Sequence, residues 1–309
     1  MRWLRHLPNR APCAIGLAAM AASPALAQES TGISVDPGAQ IELRFVQSDL
    51  DFDEGEDFDS SGFSLRAKGT VDFDLGETTG ARIEVEGRQV AYSDANREDR
   101  TSYGGAIQIE QELSETISLR LRARQVENIA LLEANSADQT SVGLRVQWQK
   151  GNDRVRLYAD YRDRDYDLTA PANGDGWRYA AQYNRRLGSY HWLRFDARYE
   201  EISSENSPRR SFERYIARVK YSVPIAKRLR FRPSIEYREW SYDGRIARGD
   251  PDGDLRRDSY VAPAIEFTYG RASKGLYASA NAQYRLRTSN DVRFENDAIR
   301  LSATVGFRF

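Results

Sequence analysis

The sequence predicts an all-β fold: a transmembrane, antiparallel, up-and-down β-barrel of about fourteen strands without a plug domain. Three observations predict it. Apolar and polar residues alternate over most of the chain, short and long connections follow one another, and the chain ends on an alternating segment whose last residue is Phe309. Each strand then has one apolar and one polar face, as a wall between lipid and water requires.

The start of the chain has the pattern of a secretory signal peptide. Three positive residues, Arg2, Arg5 and Arg10, precede an apolar stretch that runs from Ala11 to about Ala22. Ala25-Leu26-Ala27 has the small-x-small form that signal peptidase cuts. The apolar stretch is shorter than a membrane-spanning helix needs, so we expect cleavage and export.

These signals divide the chain into three segments. We expect a signal peptide at 1–27, a short N-terminal segment at 28–39 and the barrel at 40–309. The single cysteine, Cys13, lies in the first segment. The mature chain is therefore expected to hold no disulfide and no thiolate metal site.

The strands are placed by alternation bounded by turn residues. The clearest are 119–124, with the sequence Leu-Arg-Leu-Arg-Ala-Arg, and 193–199, with the sequence Leu-Arg-Phe-Asp-Ala-Arg-Tyr. Most reach the roughly ten residues that a tilted strand needs to cross a bilayer. In chain order the predicted strands are Gln40–Asp51, Phe63–Leu75, Ala81–Tyr92, Tyr103–Leu113, Ile117–Ile129, Ser141–Lys150, Arg154–Asp167, Trp177–Leu187, His191–Ile202, Phe212–Pro224, Leu229–Tyr242, Ser259–Tyr269, Leu276–Arg287 and Ala298–Phe309.

The predicted connections alternate in length, which is typical of barrels with tight turns at one end and loops at the other. A secreted β-sandwich or β-helix is the soluble alternative, because strand parity alone does not separate a face in lipid from a face in a core. The tight connections are Gly76–Gly80, Ser114–Thr116, Gly151–Asp153, Gly188–Tyr190, Ala226–Arg228 and Arg271–Gly275. The longer, polar ones are Asp53–Gly62, Ser93–Ser102, Leu132–Thr140, Thr169–Gly176, Ser203–Ser211, Asp243–Asp258 and Thr288–Asp297.

The last strand carries a resemblance to a known class. Residues 299–309 resemble the C-terminal strand of bacterial outer-membrane β-barrels, in which a final aromatic residue is read by the insertion machinery. The resemblance implies a Gram-negative outer membrane with both termini in the periplasm. It also implies lipid, lipopolysaccharide and the barrel insertion machinery as partners, with Phe307 and Phe309 as the insertion signal. This strand should close the barrel against the first one, near Ile41–Phe45.

Strand parity also predicts a basic lumen, because basic residues outnumber acidic ones by roughly two to one on the inward faces. Guanidinium groups in a narrow, low-dielectric tube favour anions, and each can bind a carboxylate at two points. The residues predicted to line an anion pathway are Arg120, Arg122, Arg124, Arg145, Arg154, Arg156, Arg194, Arg198, Arg214, Arg218, Arg230 and Arg232.

The predicted function is passive diffusion of small solutes through this lumen, biased to anionic molecules or acidic oligosaccharides. The plugless, Arg-lined barrel is similar to acidic-oligosaccharide porins such as the alginate-export and oligogalacturonate channels. Two alternative origins of the arginine content stay open: the arginines pair with lumen carboxylates and brace the wall, or they reflect a GC-rich genome. The alternative function is a non-transporting barrel with a structural or surface-interaction role.

The sequence predicts no enzyme, cofactor, metal site or nucleic-acid surface. His191 is the only histidine after the predicted signal peptide, and it follows the Gly188–Tyr190 turn without a nucleophile motif, so a hydrolase is the third choice. Asp250–Asp254 resembles a calcium loop, but its glycine is misplaced and a solvated turn is expected. The arginines are spread around a lumen, unlike the basic patch of a nucleic-acid-binding protein.

Overall fold

A computed structural model describes residues 33–49, 60–94, 98–130, 136–167, 172–270 and 274–309. The predicted signal peptide at 1–27 lies outside these ranges. Within them, no helix is long and apolar enough to cross a membrane. A 3₁₀ turn, Pro208–Arg210, lies just before the strand that begins at Phe212. The described strands are β1 Ser34–Ser48, β2 Gly62–Asp74, β3 Thr79–Tyr92, β4 Arg100–Ser114, β5 Ile117–Ala130, β6 Ser136–Lys150, β7 Asp153–Tyr166, β8 Ala172–Leu187, β9 His191–Ile202, β10 Phe212–Ala226, β11 Leu229–Ile246, β12 Leu255–Gly270, β13 Gly275–Ser289 and β14 Ala298–Arg308.

The sheet closes into a barrel, as the sequence predicts. Each strand pairs antiparallel with its neighbours in the chain, and β1 pairs with β14. In this last ladder Ile41 lies opposite Phe307 and Phe45 lies opposite Ala303. The Phe309 amide donates to the Ala39 carbonyl oxygen at 2.9 Å. Closure pairs the backbone groups that would otherwise form two sheet edges, which hydrocarbon would penalise.

The outer face of the barrel is apolar and exposed. Ile107, Leu121 and Val305 are 60%, 51% and 51% exposed. So many large apolar groups would be unfavourable in water, and a lipid surround accommodates them. The exterior therefore forms a lipid-facing band, which excludes the soluble sandwich. Further members of the band are Leu43, Phe45, Phe63, Leu65, Ile83, Val85, Leu144, Leu157, Phe195, Val219, Ile265, Leu301 and Phe307.

A row of aromatic rings borders this band on β7 to β10. Successive ring centroids are separated by 5.4 Å from Tyr161 to Trp177, 5.8 Å to Tyr179, 6.4 Å to Tyr199 and 4.9 Å to Tyr215. Aromatic side chains with a polar tip favour the boundary between hydrocarbon and headgroups. The row therefore marks one limit of the membrane-embedded wall.

The two ends of the barrel differ, and we name them by their connections. The short-turn end carries the tight turns, such as 151–152 and 188–190, and the long-loop end carries segments such as 203–211 and 290–297. Several strands extend further than the sequence predicts. β1 begins at Ser34 and not at Gln40.

The extensions at the long-loop end follow from a change on the outer face. There β8 begins at Ala172, paired with Tyr166, whereas the sequence predicts a start at Trp177. Outward positions such as Asp163 and Asp175 are polar, so the apolar alternation stops while the backbone pairing continues. Similar extensions move the start of β6 to Ser136 and that of β12 to Leu255.

Buried apolar side chains lie inside the wall and towards the long-loop end. Two clusters account for most of them. Their side chains lie on the lumen side of the wall, opposite the lipid-facing band. They therefore pack the interior of the barrel at the long-loop end. The first consists of Val126, Ile129, Ala137, Tyr166 and Ala172, and the second of Trp240, Tyr242, Tyr260 and Ala262 with Phe212 against it.

The barrel lumen as the candidate functional site

Alternate side chains of consecutive strands surround a central cavity of about 710 Å³. Its lining among the described residues includes twelve basic side chains and five carboxylates. A cavity of this volume has the size of a small-molecule site. Seven of the twelve predicted pathway residues line it, namely Arg120, Arg122, Arg124, Arg145, Arg194, Arg198 and Arg218.

Carboxylates neutralise the Arg120–Arg124 ladder on β5. The ion pairs are Arg120 with Glu110, Arg122 with Glu84 at 2.9 Å and Arg124 with Glu86 at 2.6 Å. Glu84 and Glu86 also pair with Lys68, at 2.6 Å, and Arg66 on β2. Each glutamate thus joins cations on two strands, and the ladder braces the wall that it lines.

Two carboxylates serve the opposite wall in the same way. Asp196 lies 2.8 Å from Arg194 and 3.5 Å from Arg218. Glu236 lies 3.6 Å from Arg218 and 2.7 Å from Arg238. Since each carboxylate is shared by two guanidinium groups, this wall keeps a surplus of positive charge.

Four of the remaining predicted residues lie towards the short-turn end, outside the central lining. Arg232 is 3.8 Å from Glu266, and Arg230 donates to the Tyr190 carbonyl oxygen at 2.6 Å. Arg156 donates to the side-chain oxygens of Gln147 and Gln182 at 2.7 and 3.3 Å. The Nε of Arg154 is buried and makes no hydrogen bond within the described structure.

Arg214 has a different environment from the other eleven. It pairs with Glu200, which is also 3.4 Å from Arg162, and Arg162 and Glu200 are both fully buried. The three side chains fill the wall near the long-loop end, away from the central cavity. A buried charge that lost its partner here would be costly, so we expect the triad to hold the strands together.

Sequence reasoning missed an inward-folded segment at the long-loop end, 290–297. Its Phe294 is 8% exposed, and the ring centroid lies 3.4 Å from the guanidinium carbon of Arg256. Arg256 also pairs with Asp258 and stacks on Tyr242 at 4.9 Å. A phenylalanine within a polar loop was the one signal of this inward packing.

Asp291 fixes that segment in place. Its carboxylate accepts hydrogen bonds from Arg293 Nε and Nη2 at 2.9 and 2.7 Å, and from the Arg248 amide at 3.1 Å. The Arg293 guanidinium holds the pKa of Asp291 well below its usual range. The carboxylate therefore stays charged, and it links 290–297 to the tip of the β11–β12 hairpin.

Three cavities follow one another along the barrel. The central one shares Arg82 and Gln108 with a 250 Å³ cavity at the short-turn end, whose mouth carries several carboxylates. It shares Arg66 and Arg124 with a 190 Å³ cavity that reaches the long-loop end. The shared linings describe a route beside β2 to β5. The carboxylates of the short-turn mouth are Asp72, Asp74, Glu77, Glu110 and Glu112.

His191 lies at the short-turn end, paired with a tyrosine. Its Nδ1 is 2.5 Å from the Tyr221 hydroxyl oxygen, and the two ring centroids are 5.8 Å apart. The imidazole therefore takes part in the aromatic packing between β9 and β10.

No protein-family model matches the sequence, and no curated protein matches it. The chain is similar to solved outer-membrane β-barrels and shares their fold. One is a loop L8 deletion mutant of OmpT, an outer membrane protein of Vibrio cholerae, with 13% identity, a TM-score of 0.53, and coverage of 90% of this chain and 99% of that one. Another is the outer membrane channel DcaP of Acinetobacter baumannii, with 13% identity, a TM-score of 0.52, and coverage of 91% and 99%.

Proposed function

We propose that this protein is an outer-membrane channel for passive diffusion of small solutes, with a preference for anionic molecules including acidic oligosaccharides. The observation that carries the proposal is the central cavity of about 710 Å³, in which basic groups exceed carboxylates by twelve to five among the described residues. Such a lumen holds a positive potential and concentrates anions. DcaP, which has the same fold, is described as an outer membrane channel.

The chain of cavities supports passage along the barrel. A solute anion entering at the long-loop end would meet Arg88 and Arg100 first, then Arg66 and Arg124, and then the other cations of the central cavity. Most of these cations are already paired with a lumen carboxylate. An incoming anion would have to displace that carboxylate, so it would bind each cation with moderate affinity. Moderate affinity at several adjacent positions permits movement, whereas one tight site would trap the solute.

Conductance in a planar bilayer tests the proposal. We expect purified protein to give open channels, and a gradient of potassium chloride to give a zero-current potential whose sign shows higher permeability for chloride. A bilayer that stays silent at all voltages would exclude a channel. A preference for potassium would exclude the anion mechanism but leave a channel.

A sealed, non-transporting barrel is the second candidate, and specific contacts favour it. Phe294 and the Arg256–Asp258 pair occupy the lumen at the long-loop end and narrow it. The lumen ion pairs join side chains of different strands, as expected of groups that brace the wall. In this case the arginines serve only as braces and the bilayer stays silent. For His191, the Tyr221 contact supports a structural role, and we propose no enzymatic activity.

We further propose that the short-turn end and both termini lie in the periplasm, with lipid and lipopolysaccharide around the wall and assembly by the barrel insertion machinery. Single cysteines can test the topology, because Cys13 is the only natural cysteine and lies in the predicted signal peptide. A membrane-impermeant maleimide should label Asp252→Cys on intact cells, and should label Ser189→Cys only after permeabilisation. The reverse pattern would show the opposite insertion.

A further inference from the structure

Three cations gather at the short-turn half of β7, β8 and β9 with one carboxylate between them. Arg154 lies opposite Asn184, and Asn184 lies opposite Arg194. Neighbouring strands are about 4.8 Å apart, so two strand spacings separate Arg154 from Arg194. Arg156 is on the same face as Arg154, about 7 Å further along the strand. The one carboxylate, Asp196, pairs with Arg194 and also with Arg218.

Side-chain amides form the floor between these cations. Gln182 and Asn184 are 9% and 6% exposed. The Gln182 oxygen accepts from Asn184 Nδ2 at 3.1 Å and from Arg156 at 3.3 Å, while its Nε2 donates to Asp196 at 3.0 Å. This network fixes the amides in place. It also means that Arg156 bonds to neutral oxygens and keeps its full charge.

Among the described residues, two of the three cations, Arg154 and Arg156, lack the carboxylate partner that other lumen arginines and Arg194 have. Arg122 and Arg124 each have a glutamate within 2.9 Å. Arg154 has no such partner in the described structure, and its buried Nε is left without an acceptor. The like charges of Arg154 and Arg156 on β7 and of Arg194 two strands away repel one another, and a buried donor without an acceptor is costly, so the arrangement favours an added anion.

We propose that Arg154, Arg156 and Arg194, with Gln182 and Asn184 between them, form a binding site for a carboxylate that also carries hydroxyl groups. The guanidinium groups offer two-point contacts to the carboxylate, and the amides offer a donor and an acceptor to hydroxyls. Gln182 and Arg194 also line the central cavity, so the site opens onto the route of the proposed channel. The inference rests on that proposed function. It identifies the residues at which the channel would discriminate among anions.

Calorimetric titration of the detergent-purified protein with D-glucuronate tests the site directly. We expect saturable binding that is tighter than for acetate, which has no hydroxyls, and than for D-glucose, which has no charge. The double variant Arg154→Gln/Arg156→Gln should raise the glucuronate Kd by about tenfold or more, because two charge-assisted contacts are lost. Arg154→Lys/Arg156→Lys keeps the charge but not the two-point geometry, and it should bind at an intermediate strength.

The matched control is Lys150→Gln/Arg185→Gln, which removes the same charge from the same end. Both residues are exposed, and Arg185 lies 3.9 Å from Asp153. The control should bind glucuronate like the natural protein. An equal loss of glucuronate affinity in both double variants would overturn the proposed site, and so would equal affinity for acetate and glucuronate. Either result would mean that the general positive field of the lumen attracts the anion.

Bilayer recordings separate this inference from the proposed function. Anion-selective channels without saturable glucuronate binding would refute the site and leave the channel standing. Saturable, variant-sensitive binding with a silent bilayer would refute the channel and leave the site. Current block by glucuronate that the lumen double variant relieves, and the control does not, supports both.

Discussion

Among single residues, the lumen arginines differ in what neutralises them. Arg122 and Arg124 lie within ion-pair distance of Glu84 and Glu86, whereas Arg156 bonds to amide oxygens. An arginine that already shares a carboxylate binds a passing anion by partner exchange, at a cost. One that bonds to neutral groups keeps its charge available. The strength of an anion's interaction therefore changes along the barrel, even though the residue type is constant.

Asp291 gives a residue-level prediction about pH. Its pKa is depressed in the folded state by the Arg293 guanidinium. Because the pKa of Asp291 is depressed, the stabilisation that its charged carboxylate gives to segment 290–297 is fully present above the ordinary aspartate pKa near 4. This stabilisation is lost as pH falls through the pKa of the folded state. We expect hydrogen-exchange protection of Val292–Phe294, corrected for intrinsic rates, to be unchanged between pH 7 and pH 5.

The variant Asp291→Asn should reproduce at pH 7 what strong acid does to the natural chain. Losing the charge-assisted contacts should lower protection of the same amides by about tenfold. Asp252→Asn, in the neighbouring hairpin tip, is the control and should leave protection intact. If protection in the natural protein drops already at pH 5, another group fixes the segment.

At the level of strands, the residues on the outer face determine how accurately the sequence predicts where each strand begins and ends. β14 was predicted almost to the residue, because Ile299, Leu301 and Val305 alternate with polar residues along its whole length. β8 was predicted five residues short, because Asp175 stands where an apolar outward residue was expected. Apolar alternation records contact with lipid, whereas strand length records backbone pairing, and the two differ above the membrane boundary.

The candidate site was predicted in part, for a related reason. Parity alone places Arg122 and Arg194 in the lumen, and both line the central cavity. Their partners depend on register across strands: Arg122 pairs with Glu84, which precedes it by 38 residues. No local pattern carries that information. The burial of Arg214 in a charge triad was hidden in the same way.

For the whole molecule, the arrangement of charge matters more than its sum. The chain has 45 Lys and Arg against 46 Asp and Glu, so its net charge is −1. Within the described lumen, however, the central cavity is basic while the short-turn mouth beside β2 to β4 carries carboxylates. At the short-turn end, these carboxylates lie beside β2 to β4, whereas Arg154 and Arg156 lie on β7 and Arg230 and Arg232 lie on β11, so a field acts across the lumen as well as a positive potential along it. Anions are therefore expected to pass closer to β7–β11 than to the acidic wall at that end.

This arrangement predicts how the selectivity of the proposed channel depends on salt. The Debye length is about 10 Å at 0.1 M and about 3 Å at 1 M, so mobile ions screen a lumen field across distances of a cavity radius only at high salt. We expect the chloride-to-potassium permeability ratio to fall towards one when both compartments are raised from about 0.1 M to about 1 M at a constant concentration ratio. Zero-current potentials at several mean concentrations measure it. A ratio that stays constant over this range would show that selectivity comes from direct contact with dehydrated ions, because such contacts are not screened.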